Sequence, residues 1–195
     1  MNMAAFLSYS LIAIFTPGPN NLMAMTNSAK YGFRDALRFC IGVFFGFLLD
    51  MTLCAAATSL LYQYIPRIEP VMRLVGAGYI LFLAWIVYRD KPGDPARKQP
   101  RLNPCSVFTG TVMQLVNMKL LLMGITVLAT FVLPHYQSFR VLALVVVALA
   151  AAGFVSCCCW ASFGSLFQGV YMRNKKAVNI VMSLLLVYCA VSIFM

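Results

Sequence analysis

The stretch Thr16-Pro17-Gly18-Pro19-Asn20-Asn21 decides the fold, because it interrupts an apolar run that otherwise continues from Met3 to about Asn27. Pro17 and Pro19 each remove a backbone N–H donor, and Gly18 permits backbone conformations that other residues avoid. A helix cannot pass through this stretch unbroken. The carbonyl groups that the break frees are costly in lipid, so such backbone is tolerated only where it is buried in protein or lines a water-filled cavity.

The residues of this break are suited to holding a polar solute. The freed carbonyl groups are acceptors, and the hydroxyl and amide side chains beside them add further donors and acceptors. The helix that restarts after the break points its N-terminus at the gap, where backbone N–H groups favour a carboxylate. The alternative is a structural kink whose polar groups are satisfied by neighbouring helices. We predict substrate-binding residues at Thr16, Pro17, Gly18, Asn20 and Asn21.

The composition around this stretch excludes a soluble enzyme. The chain has 195 residues, of which 62% are hydrophobic and only 10% are charged, and its mean hydropathy is +0.85. A soluble domain carries about 45–50% apolar and about 25% charged residues. A bilayer span needs roughly 20 apolar residues, so the chain has room for about six spans and for no separate soluble domain. The apolar runs do not alternate with polar residues, which excludes β-barrel strands.

We predict one all-α integral membrane domain over residues 1–195 with six transmembrane helices. The polar, proline-rich stretch 89–105 is a loop that separates two halves, at about 1–88 and 106–195. The first span has neither a basic leader nor a small-residue cleavage site, so we expect it to be retained and not removed as a signal peptide. The six spans are expected at about residues 3–27, 36–62, 70–88, 106–133, 139–167 and 177–195.

The two halves carry a weak internal repeat. Polar sequence interrupts the first span of each half, at 16–21 and at 114–119, and the third spans open alike at 71–75 and 177–181. Two halves of three spans each must insert in opposite orientations. An inverted 3+3 repeat with interrupted helices in corresponding positions is typical of secondary transporters, whose binding site lies at the interruptions.

The interruption in the fourth span contains a second set of polar side chains. Thr111, Gln114 and Asn117 share one helical face, whereas Lys119 would lie about 200° around an unbroken helix from Asn117. Either the helix opens locally or Lys119 serves another neighbour. A lysine at mid-span costs at least about 2.5–3.5 kcal/mol and is not expected to face lipid; a snorkelling lysine at the interface is the alternative. We predict that Gln114, Asn117 and Lys119 bind substrate.

Asp50 is the only acidic residue within the predicted spans. It follows Gly42 and Gly46 at four-residue spacing on the second helix, and Cys54 continues the series. Such a step between small residues marks a close helix–helix contact, so this face meets protein and not lipid. An intramembrane acid is a candidate proton carrier or a partner for Lys119, and we assign Asp50 a coupling role. A structural ion pair or a neutral, hydrogen-bonded acid is the alternative.

The remaining motifs indicate no cofactor, metal site or catalytic residue. None of the seven cysteines forms a C-x-x-C pair flanked by histidine, and buried free cysteines behave as small apolar residues. Phosphate-binding loops, serine-hydrolase elbows and zinc-protease helices have no counterpart in the sequence. A membrane redox protein that uses pairs of cysteine thiols and a scaffold subunit without transport activity are the alternatives to a transporter.

Several of these motifs resemble those of the lysine exporter and homoserine–threonine resistance family of amino-acid exporters. The resemblance covers essentially the whole chain. Many members have proline where this chain has Met118, so the sequence leaves open whether the fourth helix breaks as the first does. The motifs that carry the resemblance are residues 16–20, Gly32-Phe33-Arg34, Gly42 with Gly46, residues 74–79, and Asn117 with Lys119.

The resemblance implies an efflux protein of the bacterial inner membrane with six helices and no enzymatic activity. Within the family, residues 114–119, 130–134, 179–181 and 184–191 look most like members that export cysteine and O-acetylserine. The expected substrates are therefore small neutral amino acids, exported by proton antiport, with threonine or homoserine as the alternative. No nucleic-acid partner is implied, and whether two copies form a homodimer stays open.

The basic residues predict how the chain is oriented. Of its 15 lysines and arginines, 11 fall in the first, third and fifth connections, and only Arg67, Arg73 and Arg140 fall in the second and fourth. Cytoplasmic loops carry an excess of basic residues. The odd-numbered connections, including the linker 89–105, are therefore expected in the cytoplasm, with both termini on the periplasmic side.

This orientation can be tested with a reporter that is active only in the cytoplasm. Fused after Met195, it should be inactive, and the same reporter inserted in the 89–105 linker should be active. An active C-terminal fusion would contradict the orientation.

Overall fold

The computed structural model describes residues 2–56, 103–136, 138–167 and 173–192, with 70–71, 74, 77–78, 80–85, 87–89 and 169. All regular secondary structure within these residues is helical. The end of the predicted second span, parts of the third and most of the 89–105 linker lie outside the described residues. Lys91, Arg67 and Arg73 belong to these parts.

The first predicted span is broken where the sequence indicates. Helix α1 comprises Met3–Phe15, and helix α2 comprises Pro19–Tyr31. Pro19 occupies the first position of α2, where a missing N–H costs nothing because that group has no partner inside the helix. The turn after α2 is made at Gly32, whose φ of 87° other residues rarely adopt. The predicted break is therefore confirmed.

The remaining described helices follow the predicted order. Helix α3 is Phe33–Ala56, and an apolar helix runs over Ile80–Arg89. Helix α4 is Val107–Leu115, α5 is Met118–Thr126, and α5 continues into a π-helical segment, Val127–Val132. Helix α6 is Phe139–Leu166, and α7 is Lys175–Ser192.

The fourth predicted span is broken as well. Helices α4 and α5 meet at an angle of 60°, which answers the question that Met118 left open in the sequence. The chain turns at Val116 and Asn117, whose φ and ψ are −97° and 2°, and −81° and 85°. Asn117 then acts as the N-cap of α5. Its side chain makes no cap hydrogen bond, and the break forms here with Met118 where many family members have proline.

Within the described residues, two helices are long and apolar enough to cross a membrane alone. These are Phe33–Leu53, which lies within α3, and α6. The bent pair of α4 and α5 with its π-helical continuation makes a third if it is counted as one span. Helix α2 is much more polar, yet it is almost entirely buried, with five polar side chains among its buried residues: Asn20, Asn21, Thr26, Asn27 and Ser28.

Glycine contacts join α3 to α4 and α6 to α2. A methyl group on Gly42 would collide with the Val107 carbonyl oxygen, and one on Gly46 would lie 2.7 Å from Gln114 Cβ. The close contact predicted from these two glycines is confirmed. On α6, Gly164 lies against the backbone of Met25 in the same way.

Contacts at the two ends of the bundle define its direction. At one end, Asn27 Nδ2 donates to the Pro104 carbonyl at 2.9 Å, which ties the end of α2 to the start of the fourth span. At the other end, the Phe131 ring lies 6.1 Å from Phe6 and 6.3 Å from Tyr9. The chain just after α2 and the chain just before α4 therefore lie at the first end. The N-terminus of α1 lies at the second end.

Candidate functional site

The broken first span leaves carbonyl groups that neighbouring helices satisfy. Pro17 and Pro19 have no N–H for the carbonyls of Ala13 and Phe15, four residues earlier. The Thr16 hydroxyl donates to the Ala13 carbonyl at 3.1 Å. Trp160 Nε1, on α6, donates to the Phe15 carbonyl at 3.2 Å. Both proline-orphaned acceptors therefore have a partner.

Asn21 and Ser156 satisfy the next carbonyls. Asn21 Nδ2 donates to the Ile14 carbonyl at 3.0 Å and to the Thr16 carbonyl at 3.1 Å. Ser156 Oγ, on α6, also donates to the Ile14 carbonyl, at 3.0 Å. The alternative interpretation of the break, a kink satisfied by neighbouring helices, therefore holds for Ile14 and Phe15, whereas the Ala13 carbonyl is satisfied by Thr16 within the break.

Lys119 joins the two breaks. Its Nζ donates to Thr16 Oγ1 at 2.7 Å, to the Thr16 carbonyl at 3.0 Å and to the Pro17 carbonyl at 3.2 Å. Gly18 lies beside it, and a methyl group there would sit 3.3 Å from both Lys119 Cδ and Nζ. The helix does open locally at Asn117, as one sequence alternative required, and the ammonium group turns to the carboxyl-terminal end of α1, where a helix favours positive charge.

A second connection between the breaks is a buried chain of amides that ends on Asp50. Asn20 Nδ2 donates to Gln114 Oε1 at 2.6 Å, and Gln114 Nε2 donates to Asp50 Oδ2 at 2.9 Å. Asn20, Gln114 and Asp50 are 2%, 0% and 4% exposed. The ion pair between Asp50 and Lys119, which the sequence offered as one possibility, is not formed, because each group is held by a different partner. The one ion pair among the described residues joins Arg38 to Asp35 at 3.7 Å.

A cavity of about 690 Å³ lies at the junction of the two breaks. It lies between α1, α5 and α7 and extends from the breaks toward the end of the bundle that holds the N-terminus of α1. Lys119 is the only charged residue among its described lining residues. Those residues are Tyr9, Ala13, Thr16, Pro17, Pro19, Asn117, Met118, Lys119, Leu122, Met123, Thr126, Tyr188 and Cys189.

The predicted site residues fall into two groups in the structure. Thr16, Pro17, Asn117 and Lys119 line the cavity. Gly18 lies next to the cavity, and its nearest neighbours are atoms of the Lys119 side chain. The amide residues Asn20, Asn21 and Gln114, and Asp50, lie behind this wall and hold it in place through the hydrogen bonds described above.

Asn117, which lines the cavity, carries a buried acceptor without a partner among the described residues. The residue is 3% exposed, and its Oδ1 finds no hydrogen-bond partner among the described residues. A buried carbonyl oxygen without a partner costs about 1–3 kcal/mol, so a donor group in the cavity would gain a bond there. Together with the Lys119 ammonium, the site can thus hold an anionic group and a donor side by side.

Sequence reasoning missed the contributions of α6 and α7. Ser156 and Trp160 lie within a helix whose other residues are mostly apolar. Their hydroxyl and indole N–H groups could have indicated a role, because a donor within the membrane must find a hydrogen-bond partner. Tyr188 and Cys189 gave no signal, since only packing brings α7 to the cavity. Cys157–Cys159 and Cys40 lie away from the cavity, and no three His, Cys, Asp or Glu side chains among the described residues could hold a metal ion.

Comparison with known proteins gives consistent matches over the whole chain. The family model described as LysE type translocator matches residues 11–195. The chain is 40% identical to the cysteine/O-acetylserine efflux protein of Salmonella choleraesuis (strain SC-B67), over 100% of this chain and 98% of that protein. It is 38% identical to the protein of the same name from Escherichia coli (strain K12), over 98% and 97%. No solved structure matches the chain.

Replacing Gln114 should test the buried amide chain. Gln114→Leu leaves Asn20 Nδ2 and Asp50 Oδ2 without their partner, and a stranded buried polar group costs about 1–3 kcal/mol, more if charged. We expect a clear fall in the melting temperature of the purified protein in detergent, and partial recovery in the double variant Gln114→Leu/Asp50→Leu.

Thr111→Val is the matched control on the same helix. Its hydroxyl donates to the Gly42 and Val107 carbonyls and leaves no charged group behind when removed. Equal melting temperatures for Gln114→Leu and Thr111→Val would contradict the importance of the amide chain.

Proposed function

The chain belongs to the LysE type translocator family, and on that premise we propose that it exports small neutral amino acids, foremost cysteine and O-acetylserine, across the bacterial inner membrane in exchange for protons. The observation that carries this proposal is the cavity where the two broken helices meet around Lys119. Pockets for small ligands commonly have volumes of about 300–1,000 Å³. The relatives named as cysteine/O-acetylserine efflux proteins support the choice of substrate.

The proposed substrate is a zwitterion, and the site offers a complement for each of its charged groups. The carboxylate binds Lys119 Nζ, and the ammonium group takes the place of Lys119 on the Thr16 and Pro17 carbonyls. Asn117 Oδ1 accepts a further hydrogen bond from the ammonium group. The amino acid therefore enters between Lys119 and the end of α1, and breaks the three hydrogen bonds that join them.

The charge of the cavity favours neutral amino acids over basic ones. Lys119 contributes its single positive charge, counted among the described lining residues. A zwitterion adds no net charge to it. A second ammonium or guanidinium group on the substrate side chain would be repelled in a site of low dielectric constant.

The proposed architecture is the predicted one: a single domain of six helices in an inverted 3+3 repeat, with halves at about 1–88 and 106–195. Breaks at residues 16–18 and 116–117 support it, because they occupy corresponding positions in the two halves. With both termini on the periplasmic side, the cavity of this conformation opens outward. Rocking of the halves would expose the same site to the cytoplasm. The hydrogen bonds of Lys119 to Thr16 and Pro17 join the two halves, and substrate binding would break them.

Asp50 is the proposed proton-coupling group. It is the only acidic residue buried among the described residues, and its partner Gln114 is bonded to Asn20 at the start of α2. A change of charge on Asp50 would therefore alter the hydrogen bonds of Gln114 and, through them, the position of Asn20 at the first break. Buried acids within membrane spans are costly and are found where protons or ions are moved.

A redox function is the weaker candidate. Cys40 on α3 lies next to Cys157 and Cys158 on α6, so thiols from two helices do meet. This cluster is separate from the cavity and leaves the two breaks and Lys119 without a role. The family relationship favours transport, and activity of a variant with all seven cysteines replaced by serine would exclude thiol chemistry.

Transport should depend on Lys119. Proteoliposomes with the protein should release labelled cysteine and O-acetylserine faster than empty vesicles. Because a hydrogen bond to a charged group is worth about 1.5–3 kcal/mol, Lys119→Ala should lower the efflux rate by about 10- to 100-fold. Lys176→Ala, at an exposed lysine of α7, is the control and should be unchanged. Wild-type rates in Lys119→Ala would contradict the assignment of the site.

Coupling should depend on Asp50. A proton gradient that drives protons in the direction opposite to substrate export should accelerate wild-type efflux. Asp50→Asn should abolish this acceleration but retain the exchange of labelled for unlabelled substrate. Asp35→Asn is the matched control on the same helix, since Asp35 is exposed and pairs only with Arg38 at the surface. Full acceleration by the gradient in Asp50→Asn would rule out its coupling role.

A further inference from the structure

The side-chain end of the substrate must be recognised by a part of the cavity that the two breaks do not supply. The breaks provide groups for the carboxylate and the ammonium, which all amino acids share. Selection among neutral amino acids therefore depends on the remaining wall. That wall comes from Tyr9 and Ala13 of α1, from Leu122, Met123 and Thr126 of α5, and from Tyr188 and Cys189 of α7.

The contributions of α1 and α5 run away from the breaks along the helices. Tyr9 precedes Thr16 by seven residues, and Thr126 follows Lys119 by seven. At 1.5 Å per residue, each lies roughly 10 Å from the groups that would hold the zwitterion. Tyr9 and Thr126 therefore line the path to the cavity mouth, whereas Ala13, Leu122 and Met123, three or four residues from Thr16 or Lys119, face the cavity near the breaks with apolar side chains.

Helix α7 contributes at the level of the zwitterion. Tyr188 and Cys189 of α7 line the same cavity as Lys119 of α5. Cys189 is 7% exposed, so its side chain is held in the packed wall and cannot turn aside as a surface residue would. The atoms that follow the α-carbon of a substrate held on Lys119 are thus directed toward this wall.

We propose that Cys189, with its neighbour Tyr188, forms the side-chain subsite of the cavity and determines which neutral amino acids are exported. This inference rests on the proposed function. The small thiol leaves room for a short side chain with a polar end, and the volume at position 189 sets the limit on its length. In a well-packed site, one added methylene changes specificity by about 10- to 200-fold.

The test compares export of cysteine and of the longer O-acetylserine in proteoliposomes. Cys189→Leu should lower O-acetylserine efflux at least about tenfold more than cysteine efflux, because the larger side chain fills the space of the acetyl group. Cys189→Ala, which enlarges the subsite and has little risk of misfolding, should shift the ratio the opposite way. Cys159→Leu, at a half-buried position of α6 outside the cavity, should leave the ratio unchanged.

The outcomes separate this inference from the function on which it rests. If the wild-type protein transports neither compound, the proposed function fails. If the wild-type protein transports both but the ratio is the same in Cys189→Leu and Cys189→Ala, the subsite assignment is wrong. A shift of equal size in Cys159→Leu would also overturn it, since that shift could not come from the cavity wall.

Discussion

The bond between the Lys119 ammonium and the end of α1 is the interaction on which the rest of the structure depends. Each partner alone is unfavourable in a membrane: a charged side chain at mid-span, and the carbonyl groups of Thr16 and Pro17, which lie in the break between α1 and α2. Together they satisfy one another through three hydrogen bonds from Nζ. Because the lysine and the carbonyls come from different halves of the chain, this bond also holds the two broken spans at one level.

The polar helix α2 is stable in an apolar bundle because other helices cover it. Its buried amides each donate a hydrogen bond: Asn21 caps the break, Asn20 binds Gln114, and Asn27 binds the Pro104 carbonyl. Gly164 lets α6 approach the backbone of α2 closely enough to exclude lipid. Helix α2 is too polar to face lipid, and this packing keeps it buried in the bundle. Its N-terminus at Pro19 lies at the cavity.

The proposed zwitterionic substrate fits a site in which an ammonium group is held by carbonyl and hydroxyl oxygens. The Lys119 ammonium and the partial negative charges of the Thr16 and Pro17 carbonyl oxygens complement the carboxylate and the ammonium group of an amino acid. In the proposed binding mode, substrate replaces this contact without leaving a buried charge unpaired, so binding and release would both avoid the large cost of a bare charge in the membrane. The proposed exchange would also loosen the contact between α1 and α5, and so would link occupancy of the site to its movement.

The sequence by itself determined the membrane class, the break at Pro17–Pro19, the close contact at Gly42 and Gly46, and the residues that meet at the breaks, because prolines, glycines and rare polar residues have few tolerable positions in a bilayer. Only the tertiary structure decided the partners. Lys119 binds Thr16 and Pro17, Asp50 binds Gln114, and Ser156, Trp160 and Cys189 join the site. The physical reason is that helical spacing gives the face on which a residue lies, whereas pairing depends on how distant helices pack.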